Sequence, residues 1–118
     1  KSIMKKLFIT LFIFITLTVK SQKQFEGVWK SDSSTYKTTI ISSKYAILKV
    51  FNFSFKEDYY IEENIINQTD TEFITTLYNP RNGYKVTIKY KFIKNVLTCE
   101  FSGDYHGLVE LTKILSNE

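Results

Sequence analysis

Residue types that carry catalytic and metal chemistry are scarce in this chain, which has a single histidine and a single cysteine. A nucleophilic triad needs a nucleophile, a base and an orienting group within hydrogen-bond reach, but His106 falls in an expected turn, apart from Cys99. A metal site needs several ligands at suitable spacing, and the one acidic cluster, Asp58, Glu62 and Glu63, borders a strand, where charges usually face water. We therefore expect no enzyme activity, no catalytic residues, no metal and no cofactor.

Two further absences concern a catalytic carboxylate pair and an intramolecular disulfide bond. Glu62 and Glu63 are adjacent, so a regular strand directs them to opposite faces, which disfavours a glycosidase-type carboxylate pair. Cys99 is the only cysteine, so no intramolecular disulfide can form and the fold depends on its core. Because Cys99 lies on the apolar side of a predicted hairpin, we expect a small buried side chain rather than a reactive thiol.

The chain also has no apolar run long enough for a transmembrane helix. Leu7 to Val19 is apolar over 13 residues, whereas a helix needs about 20 to cross a bilayer. A pair of lysines precedes this run and small residues follow it, an order typical of a secretory signal peptide. We predict a signal peptide at residues 1–21 and a single all-β domain at residues 22–118, with cleavage between Ser21 and Gln22. An uncleaved anchor or a buried strand is the alternative.

Cleavage changes the charge balance and the expected partners. The chain has 16 basic and 12 acidic side chains, but four of the lysines lie within residues 1–21, so 12 basic side chains remain against 12 acidic ones. We therefore expect no nucleic-acid partner, and Lys85, Lys89 and Lys91 are interpreted as the solvated face of a strand. The mature protein is predicted to be periplasmic or extracellular, with no stable membrane span after signal cleavage.

What the chain does have is alternation of apolar and polar residues. In Tyr84 to Phe101 the residues Tyr84, Ile88 and Tyr90 share one face of a strand, and lysines occupy the other. Lys94-Asn95 reverses the chain, so the stretch predicts an antiparallel hairpin. Further strand-like runs, separated by residues typical of turns, extend this hairpin to a predicted antiparallel meander of about eight short strands.

A meander of this length is predicted to close as a lipocalin-like up-and-down barrel, because closure removes exposed sheet edges. A β-sandwich or an open curled sheet is the alternative. Within Tyr45 to Phe55, the residues Phe51, Phe53 and Phe55 alternate with polar residues, but the preceding part is out of phase with them. This slip predicts a β-bulge or a two-sided stretch.

The segment Phe25-Glu26-Gly27-Val28-Trp29-Lys30 resembles the F-x-G-x-W-K start of calycins, the group of lipocalins and fatty-acid-binding proteins. Small lipocalin-like secreted proteins of bacteria offer the nearest comparison. The resemblance implies that the Gly-x-Trp lies on the first strand, with the Trp plugging one end of an eight-stranded barrel. It also implies an Arg in the last strand to cap the Trp, where this chain offers only Lys113. The helical lid of fatty-acid-binding proteins has no counterpart.

An apolar, aromatic-lined interior with a few polar groups is typical of small-molecule sites. We therefore predict a non-enzymatic exported barrel that binds a small apolar or amphiphilic ligand. The candidates for lining the site are Trp29, Tyr36, Phe51, Phe53, Tyr84, Ile88 and Tyr90. The alternative is a protein-interaction or envelope-associated structural module, with a solid core, no ligand pocket, and a protein partner or a homodimer. A pocket of roughly 300 Å³ or more favours the first hypothesis.

Overall fold

The computed structural model describes residues 19–31 and 36–114, with side chains described from Gln22 onward. Residues 1–18 of the predicted signal peptide therefore lie outside the described residues. Within the described ranges, no helix combines the length and the apolar character that a membrane crossing requires.

In residues 19–31 and 36–114, eight antiparallel strands, each hydrogen-bonded to the next along the chain, form a closed barrel. A 3-10 helix, Val19–Phe25, precedes them. The strands are β1 Gly27–Lys30, β2 Tyr36–Ser42, β3 Ile47–Ser54, β4 Tyr59–Gln68, β5 Glu72–Tyr78, β6 Lys85–Ile93, β7 Val96–Gly103 and β8 Gly107–Lys113. The barrel closes where β1 pairs with β8, with Trp29 opposite Lys113. The predicted all-β meander and its closure into a barrel are confirmed.

The predicted hairpin is formed by β6 and β7. Its turn residues Lys94 and Asn95 both have positive φ, 51° and 67°, as the tight turns that match strand twist require. The apolar face of β6 is buried at Val86, Ile88 and Tyr90. The alternation of apolar and polar residues thus places one face of this hairpin inside the barrel.

The phenylalanines of β3 face the opposite way from the expectation. The pairing of β2 with β3 shifts register between Ile41, which pairs with Lys49, and Ser42, which pairs with Ile47. This shift is the bulge that the out-of-phase sequence predicts. Beyond the bulge, Val50 and Ser54 are buried. Because neighbouring residues of a strand point to opposite faces, Phe51 and Phe53 lie on the outer face of the barrel.

Aromatic rings fill one end of the barrel interior. Phe25, at the end of the 3-10 helix, is fully buried. Its ring meets Phe73 edge to face at a centroid distance of 5.0 Å, and the Phe92 ring centre lies 6.0 Å from that of Trp29. The Trp29 indole donates a 3.0 Å hydrogen bond to the Phe25 carbonyl. Lys113 Nζ lies 5.7 Å from the centre of the Trp29 ring. This end of the barrel is closed by packing.

Strand β4 changes partner half-way along its length, next to a buried acidic side chain. Tyr59 to Glu63 pair with β3, and Asn64 onward pairs with β5. A register shift follows between Ile65 and Asn67. Glu63 therefore sits at the switch between the two pairings, directed into the barrel and only 3% exposed.

Candidate functional site

A cavity of about 420 Å³ occupies the other end of the barrel. Its walls are built from β2 to β8, at the ends of these strands opposite the packed aromatic end. The apolar part of the wall includes Ile61, Leu77, Val86, Phe101, Val109 and Leu111. Side chains do not fill the barrel at this end, so an interior space remains here.

The inner end of the cavity is polar and leads to the carboxyl group of Glu63. Thr75 Oγ1 donates a hydrogen bond of 2.5 Å to Glu63 Oε1, and the Tyr90 hydroxyl donates another of 2.7 Å to the same oxygen. The Asn52 amide donates to Oε2, and the Asn52 carbonyl accepts a 3.0 Å hydrogen bond from Thr38 Oγ1. We call these five residues the polar network; Thr38, Asn52 and Tyr90 also line the cavity.

Three of the four hydrogen bonds of the polar network end on Glu63. Three donors from β3, β5 and β6 converge on its two oxygens, an arrangement that satisfies an ionised carboxylate, which can only accept. Burial raises the pKa of Glu63 to about 7, while the hydrogen bonds from Thr75, Tyr90 and Asn52 oppose the rise. Glu63 therefore changes its charge near neutral pH, inside the barrel.

The mouth of the cavity is rich in tyrosines. Tyr36, Tyr59, Tyr84 and Tyr105 line it together with Glu57. The Tyr59 hydroxyl accepts a 2.5 Å hydrogen bond from the amide of Asn79, which is held in the turn between β5 and β6. The Arg81 guanidinium lies 3.8 Å from the Tyr59 ring centre. These contacts fix the position of one tyrosine at the entrance.

The seven predicted ligand-lining residues divide into three groups. Tyr36, Tyr84 and Tyr90 line the cavity. Trp29 and Ile88 are buried in the core, outside the cavity lining. Phe51 and Phe53 lie on the outer face, because the bulge in the pairing of β2 with β3 sets the register of these residues.

On the outer face, four rings form a cluster of their own. Phe53 lies 5.2 Å from Phe55 and 4.8 Å from Tyr60, and Phe51 lies 6.3 Å from Tyr60. We call these four residues the outer aromatic cluster. Lysines from β1, β2 and β3 approach its rings at 5.5 to 5.8 Å. The three phenylalanines that suggested a core face are thus partly covered by one another and by lysine side chains.

The burial of Glu63, the centre of the polar network, is not predicted by the sequence pattern. An acidic cluster beside a strand predicts solvent-facing charges, because carboxylates are rarely buried, although alternation directs Glu62 and Glu63 to opposite faces. A usable indication was present, since Glu63 follows Tyr59 and Ile61 at intervals of two residues, on the same face of β4. Glu62, on the other face, is exposed.

The residues considered for catalysis or metal binding are not brought together. His106 is exposed beside the start of β8, and Cys99 is buried on β7. Burial raises the pKa of the Cys99 thiol, and the charge of Glu63 acts in the same direction. Among residues 19–31 and 36–114, no group of three or more His, Cys, Asp or Glu side chains is arranged to hold a metal ion.

Comparison with known proteins assigns no family: no protein-family model, no curated protein and no solved structure matches the chain.

Proposed function

We propose that this protein is a calycin-like exported barrel that binds a small amphiphilic molecule in its cavity, without catalysis. The observation that supports the proposal is the cavity of about 420 Å³, which falls in the range of roughly 300–1,000 Å³ that small-molecule sites occupy. It combines an apolar wall with a few polar groups at its inner end, the arrangement by which such sites hold and orient an amphiphile.

The calycin-like part of the proposal is supported by the surroundings of Trp29. This residue lies on β1, as the resemblance implies, and its ring belongs to the packed end of the barrel. Lys113 of β8 approaches the ring in the role that the resemblance gives to an Arg. Gly27 leaves room for this contact, because a Cβ there would overlap Lys113 Cε.

The export part of the proposal is supported by the apolar run that follows the N-terminal lysines. Gln22, the first residue after the predicted cut, is buried, and its amide donates a 2.6 Å hydrogen bond to the Thr69 carbonyl. Mass determination of the protein recovered from its host's envelope would give the N-terminal residue. An N-terminus at Gln22 supports export, and an intact chain in the cytoplasm contradicts it.

A titration with N-phenyl-1-naphthylamine, an uncharged dye that fluoresces in apolar sites, tests the binding function. We expect saturable binding to the wild type and its loss in Val109→Trp, because Val109 lines the cavity on β8 and the larger ring fills the space. Leu108→Trp is the matched control, since Leu108 is the neighbouring residue on the outer face, 71% exposed. Equal binding by both variants, with both folded by circular dichroism, would contradict binding in the cavity.

A second candidate, interaction with another copy of this chain, is favoured by the outer aromatic cluster. Phe55 and Tyr60 are 49% and 64% exposed, so the cluster leaves apolar area open to water. Sedimentation equilibrium distinguishes the candidates. A dimer that Tyr60→Ser dissociates supports this second function, and a monomer at high concentration contradicts it.

A further inference from the structure

The charged groups that line the cavity or lie directly behind its inner end are acidic. Glu57 lines the mouth, and Glu63 lies behind the inner end. In the part of the chain that the structure describes, no Lys, Arg or His lines the cavity. Arg81 is stacked on the Tyr59 ring at the rim and is not part of the lining. A ligand carboxylate at the inner end would therefore be desolvated without a counter-charge, which is costly.

The side-chain oxygens at the inner end of the cavity are hydrogen-bond acceptors, which suits a positively charged donor. Thr38 and Tyr90 each donate their single hydroxyl proton within the polar network, so their oxygens can only accept from a ligand. The Asn52 carbonyl accepts one hydrogen bond and has a second lone pair available. Three acceptor oxygens thus line this end, and an ammonium group has three N–H donors.

The negative charge of Glu63, behind these oxygens, strengthens the preference for a positively charged group. Glu63 is 3% exposed, so its field is weakly screened and reaches the cavity through Asn52 and Tyr90. We propose that the cavity binds a cationic amphiphile, an alkylamine or arylamine, with its ammonium group against Thr38, Asn52 and Tyr90, and that it excludes carboxylates. This inference rests on the proposed function and names the ligand class of the same site.

Three probes that share one alkyl chain test the inference by calorimetric titration: octylamine, 1-octanol and octanoate. At about pH 8 we expect octylamine to bind about tenfold or more tightly than octanol, and octanoate to bind most weakly. Octanoate binding as tightly as octylamine would overturn the inference and leave the proposed function standing. Binding of none of the three probes would overturn the proposed function itself, and the inference with it.

Two glutamates on opposite faces of β4 provide matched variants. Glu63→Gln removes the buried charge, and we expect it to bring the octylamine and octanol affinities to within about threefold of each other. Glu62→Gln removes an exposed charge on the outer face and should retain the wild-type discrimination. Retention of full discrimination by a folded Glu63→Gln protein would overturn the inference.

A pH series on the wild-type protein gives the same test without a variant. The groups that face Glu63 are Asn52 from β3, Thr75 from β5, Tyr90 from β6 and Cys99 from β7. Tyr90 and Cys99 stay neutral near pH 7 because burial raises the pKa of each. Glu63 is therefore the group in this set that titrates there.

Octylamine keeps its positive charge as the pH falls from about 8 to about 6, while Glu63 takes up a proton. We expect the octylamine affinity to fall about fivefold or more over this range and the octanol affinity to stay constant. A constant octylamine affinity would overturn the inference, whether or not the Glu63→Gln variant folds.

Discussion

Burial of Glu63 should make the stability of the barrel fall as the pH rises toward neutrality. Its pKa is about 7 in the folded protein, against a reference value of 4.5. A folded state that holds a proton more tightly than the unfolded state keeps its full stability below the unfolded pKa. That stability is lost as the pH rises through the folded pKa. The difference between the two pKa values corresponds to about 3 kcal/mol of unfolding free energy.

The assay is urea-induced unfolding of the wild type and of Glu63→Gln at several values between about pH 4.5 and pH 8. The amide of the variant cannot titrate, so the wild-type unfolding free energy should fall relative to the variant by about 3 kcal/mol across this range. Glu62→Gln, which alters the exposed neighbour, should follow the wild type. Parallel curves for wild type and Glu63→Gln would refute the reasoning, as would a wild type that gains stability relative to the variant.

Three further predictions concern the fold. Gly103→Ala should cost about 1–3 kcal/mol of unfolding free energy, because φ is +111° and a Cβ would lie 2.8 Å from a backbone carbonyl of β6. Gly83→Ala is the control, with φ +78° and open space around it, and it should cost less. Equal losses in urea unfolding would contradict the packing of Gly103. Phe73→Ala in the core should cost about 3–5 kcal/mol of unfolding free energy. Phe53→Ala on the outer face should cost clearly less in the same urea measurement. Similar losses for the two variants would contradict the face assigned to β3. Cys99, 2% exposed, should react with a bulky aromatic disulfide about a hundredfold or more slowly in the folded protein than in urea, and fast reaction of the folded protein would contradict its burial.

The strand pattern of this chain could be predicted because most strands carry one apolar and one polar face. β6 is the clearest example: its apolar residues occur at every second position, and its lysines fall between them. The turn chemistry also agreed with the structure, since Lys94 and Asn95 adopt the positive φ values of a tight hairpin. Closure into a barrel followed from the number of strands and the short connections between them.

The faces of β3 and β4 could not be predicted in the same way, because each depends on the other. Three phenylalanines made one face of β3 look like the core, but Asn52 on the opposite face is needed inside to satisfy Glu63 of β4. Neither Asn52 nor Glu63, taken by itself, predicts a buried position. Their pairing depends on register across the two strands, in which Val50 lies opposite Glu63. The bulge before Val50 and the inward direction of Asn52 therefore give β3 the opposite faces from those that its phenylalanines favoured.

The most direct test of ligand binding in the cavity is amide chemical-shift mapping by NMR during titration with octylamine. We predict that the perturbed amides cluster around the cavity, at Val86, Cys99, Phe101 and Val109. The packed end around Phe25 should change little. Perturbations confined to the outer aromatic cluster, or no saturable perturbation at all, would contradict the account.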